Sequence, residues 1–289
     1  MAERTILITG GSGMLAGRLK AHFSSQPHTT VLTPGRAELD ITDEDAVLAA
    51  VRDLAPTVVI NTAALLVEPC EADPREAFRI NAWGPRNLAL ACAENEAALV
   101  QISSGGLFGD EVRPYNEYDP VVLKTEYARS KFAGEEQVRA ICPWHFILRL
   151  GWLYGGGLDG RRDFVAARLE EAKGKDVLES AKDKFGSPVC AADVAELLDR
   201  LMEAGAFGLY HVAGAGGCSR AEYVAAILAA AGLSARVEPV DSSSFPRRAG
   251  VPACEILESW NLGYAGIPGL PDWRESLGAY VRHLVGGKA

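Results

Sequence analysis

Short apolar runs alternate with amphipathic segments along the first half of the chain. The runs are five to seven residues long and have the composition of strands buried on both faces of a sheet. They predict strands at Thr5–Thr9, Thr29–Thr33, Thr57–Asn61, Leu99–Ser103 and Trp144–Leu150. Apolar residues at helical spacing predict helices at Met14–Phe23, Asp43–Leu54, Pro74–Ala93 and Thr125–Ala140. Thr42 is the expected N-cap of the second helix, and Pro85 is expected to kink or divide the third.

This alternation predicts an α/β fold, a doubly wound (Rossmann) parallel sheet with helices on both faces. After Tyr154 the pattern loosens. It still predicts strands at Asp176–Leu178 and Gly208–Val212, and helices at Phe164–Ala172, Asp193–Glu203, Arg220–Ala231 and Asp272–Val285. We predict a main domain over residues 1–155, completed by about 186–215, and a smaller C-terminal α/β lobe formed by 156–185 and 216–289.

A glycine-rich turn joins the first predicted strand to the first predicted helix. Gly10 permits a tight turn, and Gly13 lets the main chain approach a pyrophosphate. The N–H groups at the start of the helix then face the phosphates. The turn therefore predicts that the main domain binds a dinucleotide, NAD(P), and leaves the smaller lobe for the substrate. The predicted contacts are Gly10, Ser12, Gly13, Met14 and Leu15.

The end of the second strand bears on the choice of dinucleotide. An NAD site usually has an acidic residue there for the ribose 2′-hydroxyl, whereas this chain continues through Thr33 to Arg36. The guanidinium of Arg36 either pairs with a 2′-phosphate or is a solvated surface group. We predict NADPH as the cofactor, with NADH as the alternative. Asp40 and Ile41 are expected to border the adenine.

Tyr127 and Lys131 stand four residues apart in a predicted helix, so their side chains share one face. The usual tyrosine pKa is near 10, and a neighbouring ammonium should lower it. Lys131 should also bind the nicotinamide ribose. Ser103 and Ser104 end the fourth strand, at the sheet edge where α/β folds bind ligands. A hydroxyl there can polarise a carbonyl while Tyr127 delivers a proton, which predicts hydride-transfer chemistry. Asn61, ending the third strand, is expected to meet the cofactor.

Composition narrows the classes of partner. The 289 residues include 29 Lys and Arg against 38 Asp and Glu, and a net charge of −9 argues against a general nucleic-acid-binding protein. The six cysteines are far apart, and no His or Cys pair has metal-ligand spacing, so no metal site is predicted. We find no signal sequence or membrane span and expect a cytoplasmic protein.

In their order along the chain these motifs resemble the extended short-chain dehydrogenase/reductase superfamily and, within it, the dTDP-4-dehydrorhamnose reductase family. The resemblance covers nearly the whole chain. Besides the glycine turn and the Tyr127/Lys131 pair, its motifs are Asp40-Ile41-Thr42, Val59-Ile60-Asn61 with Ala63-Ala64, Asn81-Ala82, Ile102-Ser103-Ser104, Gly134-Glu135, Arg149, Trp152-Leu153-Tyr154-Gly155, Phe185-Gly186-Ser187-Pro188 and 208–214.

The resemblance implies an NAD(P)H-dependent reductase of a nucleotide-linked 4-keto-6-deoxy sugar. The catalytic residues that it implies are Ser104, Tyr127 and Lys131. The residues that it adds to the cofactor site are Ala63, Ala64, Asn81 and Ser103. Two readings remain as alternatives: a reductase of another keto compound, and a non-catalytic NADP-binding regulatory subunit.

The chain departs from that family at several positions. The family usually reads STDYVF after the fourth strand, whereas residues 103–108 here read SSGGLF. Gly105 and Gly106 thus remove polar contacts expected to face the sugar. Val251 replaces an arginine. Arg18 replaces a glutamate that helps some members bind magnesium between subunits, so the resemblance implies no metal-linked dimer and leaves a homodimer open.

Further candidates for substrate contacts lie in the second half of the chain. Trp152 either stacks on a sugar or base or packs in the core. Arg247 and Arg248 either pair with a nucleotide diphosphate or form a solvated basic pair, with Arg161 or Arg162 as the second choice for the diphosphate. The predicted substrate-binding residues are Ser104, Gly105, Trp152 and Arg247.

Overall fold

The structure, a computed structural model, describes residues 4–156 and 163–286; Arg161 and Arg162 lie outside these ranges. The helices are α1 (Met14–Ser24), α2 (Glu44–Leu54), α3 (Val67–Ala72), α4 (Pro74–Phe78), α5 (Gly84–Glu94), α6 (Glu126–Ile141), α7 (Phe164–Glu171), α8 (Ala191–Glu203), α9 (Arg220–Ala230), α10 (Trp260–Tyr264) and α11 (Trp273–Gly286). The strands are β1 (Arg4–Thr9), β2 (Thr29–Leu32), β3 (Val58–Asn61), β4 (Ala98–Ser104), β5 (His145–Leu150), β6 (Trp152–Tyr154), β7 (Val177–Ala181), β8 (Phe185–Gly186), β9 (Pro188–Cys190), β10 (Gly208–Val212), β11 (Cys218–Ser219), β12 (Arg236–Val240) and β13 (Cys254–Glu255).

The main sheet has six strands in the order β10-β5-β4-β3-β1-β2, and each neighbouring pair is parallel. Alternate strand residues point to opposite faces. Ile6 and Ile8 pack on one face against α1 and α8, while Leu7 packs on the other with residues of α2, α5 and α6. Both faces are therefore covered, and the predicted doubly wound α/β fold is confirmed.

Two helix boundaries test the predictions from local sequence. The N-cap of α2 is Asp43, not Thr42, because the Asp43 carboxylate accepts a hydrogen bond from the main-chain N–H of Ala46 at 3.1 Å. The Thr42 hydroxyl instead donates to Asp40 at 2.8 Å. The predicted division of the third helix is confirmed. A π-helical turn at Arg79–Trp83 separates α4 from α5, and Pro85, which has no N–H to donate, lies directly after it in the first turn of α5.

The second half of the chain adds β10 to the main sheet and builds smaller sheets beside it. β12 pairs with β7, and β8 lies between β11 and β13. The pairing of β13 with β8 places Glu255 beside Gly186. The division into two domains stays a prediction. Among the helices of the described ranges, none has the length and hydropathy needed to cross a bilayer.

Candidate active site

The glycine turn packs too closely on its neighbours to admit side chains. Gly10 has a φ of +71°, and a Cβ there would lie 2.7 Å from the main-chain N of Ala63. A Cβ at Gly11 would lie 2.1 Å from the carbonyl oxygen of Thr33. Helix α1 starts after Gly13 with no side-chain cap among the described residues and no acidic residue in its first turn. This turn therefore fits the phosphates of a dinucleotide.

The other residues predicted to line the cofactor divide by exposure. Ser12 and Ala64 are exposed, and Met14 and Ala63 are partly buried. Leu15 packs in the core, so its side chain does not reach the turn surface. Contacts of these residues with the cofactor stay predictions.

Two buried asparagines hold the loop that borders the turn. The Asn61 side-chain oxygen accepts hydrogen bonds from Thr9 Oγ1 at 2.7 Å and from the Ala63 N–H at 3.1 Å. The Asn81 side chain bonds both main-chain groups of Leu65, and its amide donates to Ser130 at 3.1 Å. Both side chains thus support main chain beside Gly10, and a direct contact with the cofactor stays a prediction.

Arg36 lies at the surface between two carboxylates. Its Nε is 3.3 Å from Asp40 Oδ2, and its Nη2 is 3.6 Å from Glu76 Oε1. Although burial opposes the change, hydrogen bonds from Thr42 and the charge of Arg36 lower the pKa of Asp40. Ile41 is buried, and its side chain packs where a Cβ of Gly84 would stand. The arginine is thus oriented but exposed, and its contact with a 2′-phosphate stays a prediction.

Ser104, Tyr127 and Lys131 converge at the carboxyl end of β4. Thr125 caps α6 and so fixes Tyr127 in its first turn, facing Ser104. The Ser104 hydroxyl lies close enough to the Tyr127 phenol to lower its pKa. One turn further along α6, the buried Lys131 ammonium donates to the carbonyl oxygen of Ile102 at 2.5 Å. The structure therefore brings together the three residues that the sequence predicts as catalytic.

The electrostatics of these residues differ from the expectation. Burial raises the pKa of Tyr127 to about 12, the contact with Ser104 opposes this, and the charge of Glu255 adds to it. The expected lowering by Lys131 is therefore wrong for this structure, because the ammonium faces the Ile102 carbonyl and desolvation dominates at the phenol. Burial lowers the pKa of Lys131 to about 8, although Glu135 opposes this. At neutral pH the phenol is thus protonated and the lysine is charged.

A buried ion pair lies beneath this group. Glu135 is on α6, one turn after Lys131, and its carboxylate accepts hydrogen bonds from Arg149 Nε at 2.9 Å and Nη2 at 2.8 Å. Ser103 donates to the same carboxylate at 2.5 Å. Burial would raise the pKa of Glu135, but the hydrogen bonds and charge of Arg149 lower it. Ser103 is therefore part of the support of the site, and its contact with the cofactor stays a prediction.

Comparison with known proteins bears on this arrangement. The family described as "RmlD substrate binding domain" matches residues 4–285. The chain belongs to this family. A dTDP-4-dehydrorhamnose reductase of Mycolicibacterium smegmatis is 39% identical over 99% of this chain and 87% of that protein. The crystal structures of a dTDP-4-dehydrorhamnose reductase from Clostridium acetobutylicum and of one from Bacillus anthracis with NADP each give a TM-score of 0.91. They are 33% and 31% identical, and cover 96% and 97% of this chain and 98% and 99% of theirs.

The RmlD family membership confirms the resemblance found in the sequence and the predicted enzyme class. The chain is an oxidoreductase of the kind that converts a C=O group to CH–OH. The family match runs from residue 4 to residue 285, so Ser104, Tyr127 and Lys131 all lie within the matched region.

Sequence reasoning missed two charged residues on the substrate side of this RmlD-family site. The indole N–H of Trp152 donates to Glu255 at 2.5 Å, and the guanidinium of Arg220 lies 3.4 Å from the centroid of the same indole. Burial lowers the pKa of Arg220 to about 10, with Glu255 opposing and Arg247 adding to the change. Arg247 is exposed, near Arg220. Trp152 thus contacts these two side chains and packs beside Tyr223 at the edge of the core, and its stacking on the substrate stays a prediction.

The two glycines after Ser104 make room for this arrangement. A Cβ at Gly105 would lie 3.0 Å from a methyl carbon of Leu257, and one at Gly106 would lie 2.8 Å from Glu255 Oε1. In the sequence, Gly105 and Gly106 were the one sign among these residues that side chains from elsewhere in the chain pack against this loop. In the described ranges, no group of three or more His, Cys, Asp and Glu side chains is arranged to hold a metal ion.

Proposed function

We propose that this chain reduces the 4-keto group of a dTDP-linked 4-keto-6-deoxy sugar with NADPH. The observation that carries the proposal is the convergence of the Ser104 hydroxyl, the Tyr127 phenol and the Lys131 ammonium at the sheet edge. The names of the RmlD-family relatives support the sugar nucleotide as the substrate class. The relative solved with NADP supports the predicted cofactor, with NADH as the alternative.

Ser104, Tyr127 and Lys131 each have a different role in the proposed reduction. NADPH, when bound, supplies a hydride to the keto carbon. Ser104 donates a hydrogen bond to the keto oxygen, and Tyr127 transfers its proton to that oxygen as negative charge develops there. Lys131 binds the nicotinamide ribose and leaves a positive charge beside the phenol. The raised pKa of Tyr127 suits this direction of reaction, because the phenol must start protonated.

We place the cofactor in the main domain and the sugar nucleotide between the Ser104 edge and the smaller lobe. Gly105, Trp152 and Arg247 border this side of the site and remain the proposed substrate contacts. We further propose a cytoplasmic enzyme that does not bind nucleic acid, in keeping with the acidic composition. The oligomeric state stays open, with a homodimer as one alternative.

The test is turnover of a defined substrate. Purified protein is mixed with NADPH and dTDP-4-dehydrorhamnose, and the loss of NADPH absorbance is followed while the product is identified by mass and NMR. We expect one sugar reduced at C4 for each NADPH consumed. The regulatory-subunit alternative predicts NADPH binding without turnover, and reduction of unrelated ketones alone would favour the other alternative.

A further inference from the structure

A carboxylate that the mechanism above does not use stands beside the reacting groups. Glu255 Oε1 lies 2.8 Å from the point where a Cβ of residue 106 would stand, and Ser104 Oγ lies 3.3 Å from the same point. The charge of Glu255 also acts on the Tyr127 phenol. The carboxylate therefore faces the space in which the keto oxygen is bound.

The orientation of this carboxylate is fixed from the other side. Its second oxygen, Oε2, accepts the hydrogen bond from the indole N–H of Trp152. The indole lies against Gly186, where a Cβ would be 2.2 Å from its ring, and under the Arg220 guanidinium. Trp152 can only donate through its indole nitrogen. Oε2 is thus held by the protein, and Oε1 lies on the side of Gly106, near Ser104.

We propose that Glu255 Oε1 accepts a hydrogen bond from the sugar hydroxyl on the carbon next to the keto group, which makes Glu255 a specificity-determining residue. In a 4-keto-6-deoxy sugar this group is the 3-hydroxyl, because the other neighbour, C5, carries the ring oxygen and the C6 methyl group and has no hydroxyl. The assignment rests on the proposed function. Ser104 takes the keto oxygen, and Glu255 takes the neighbouring hydroxyl.

The chemistry of a carboxylate makes this contact selective. An ionised carboxylate only accepts hydrogen bonds, and a partly buried acceptor left without its donor is costly. A substrate that lacks the 3-hydroxyl therefore leaves Oε1 unpaired, and such sites reject the deoxy analogue strongly. Arg220, whose guanidinium lies over the Trp152 indole, supplies a compensating positive charge.

The experiment compares kcat/KM for dTDP-4-dehydrorhamnose and for its 3-deoxy analogue. In the wild type we expect a preference of roughly 10- to 100-fold for the hydroxylated ketone. Glu255→Ala should reduce this preference to within about 3-fold. Glu255→Gln should keep part of the preference, because the amide oxygen stays on the Trp152 N–H and the NH₂ that it turns toward the 3-hydroxyl can still donate to the hydroxyl oxygen. NADPH affinity, measured for each variant, reports on folding.

A second variant, Gly106→Ala, tests the position of the Glu255 carboxylate and leaves its charge unchanged. The Cβ of Gly106→Ala would stand 2.8 Å from Oε1 and must displace it, so the preference should fall here too. Glu258→Gln, an exposed position on the same segment, is the matched control and should keep the wild-type preference.

Two results are distinguished by this design. If the wild type reduces dTDP-4-dehydrorhamnose while Glu255→Ala keeps the full preference, the role of Glu255 is wrong and the proposed function stands. If the wild type reduces neither ketone, and binds dTDP-rhamnose no more tightly than dTDP, the proposed function is wrong and the role of Glu255 falls with it.

Discussion

Arg149 and Glu135 form a two-pronged ion pair between β5 and α6, with N–O distances of 2.8 and 2.9 Å and both side chains buried. The pair joins the helix that carries Tyr127 and Lys131 to the sheet. Because Ser103 donates to the same carboxylate, the pair also fixes the strand end that carries Ser104. This buried ion pair therefore helps to fix the position of the Tyr127 phenol relative to the Ser104 hydroxyl.

Breaking this pair should destabilise the fold. Arg149→Met removes the two-pronged contact from the buried Glu135 carboxylate, which then keeps only Ser103 and the partly exposed Arg139 among the described side chains. Removing one member of a buried pair typically costs about 3–5 kcal/mol. We expect the free energy of unfolding, measured by urea denaturation, to fall by that amount. Arg52→Met, at an exposed position, is the control and should change it by less than about 0.5 kcal/mol. A loss below about 1 kcal/mol for Arg149→Met would contradict the account.

The pH dependence of the reaction should report on Lys131. Its pKa is lowered to about 8 by burial, so the ammonium is charged below that pH and neutral above it. We expect kcat/KM and NADPH affinity to fall together as the pH rises through about 8. The pKa of Tyr127, about 12, keeps the phenol protonated over this range. Lys131→Met should give weak activity with no such fall. A wild-type profile that stays flat to pH 10 would rule out this role.

Arg36 should set the choice of cofactor. A guanidinium contact with a 2′-phosphate is worth about 1.5–3 kcal/mol, so we expect the wild type to bind NADPH at least about tenfold more tightly than NADH. Arg36→Ala should remove most of that preference and leave NADH affinity unchanged. Titration with both cofactors measures this, with Arg52→Ala as the surface control. Equal affinities of the wild type for NADPH and NADH would show that Arg36 does not bind the 2′-phosphate.

The diphosphate of the substrate should bind near Arg247. The double variant Arg247→Ala and Arg248→Ala removes two exposed positive charges, of which that of Arg247 acts on Arg220. We expect the KM for the nucleotide sugar to rise about five- to tenfold while NADPH affinity stays the same. An unchanged KM would place the diphosphate elsewhere.

Local patterns were sufficient for the features that depend on neighbouring residues. Continuous apolar runs predicted the strands of the main sheet through β5, and the glycine turn follows β1 as expected. The Tyr127/Lys131 spacing predicted one face of one helix, and the structure brings both near Ser104. One local prediction was nevertheless wrong. Asp43, not Thr42, is the N-cap of α2, because the Thr42 hydroxyl donates its hydrogen bond to Asp40.

Features that depend on residues far apart in the sequence could not be predicted from local patterns. Glu255 lies on a two-residue strand with no pattern of its own, and only the pairing of β13 with β8 brings it to Trp152. The direction of the Tyr127 pKa shift could not be predicted either. It depends on burial and on where the Lys131 ammonium points, neither of which follows from a spacing of four residues.

The most direct test of the central claim is Tyr127→Phe, which removes the proton donor and keeps the ring. A positioned acid typically contributes 10²–10⁴-fold to the rate. We expect single-turnover oxidation of bound NADPH by dTDP-4-dehydrorhamnose to slow by at least about 10²-fold, while NADPH affinity changes less than about twofold. If Tyr127→Phe instead reduces the ketone at the wild-type rate, Tyr127 is not the acid, and the catalytic account of this site is wrong.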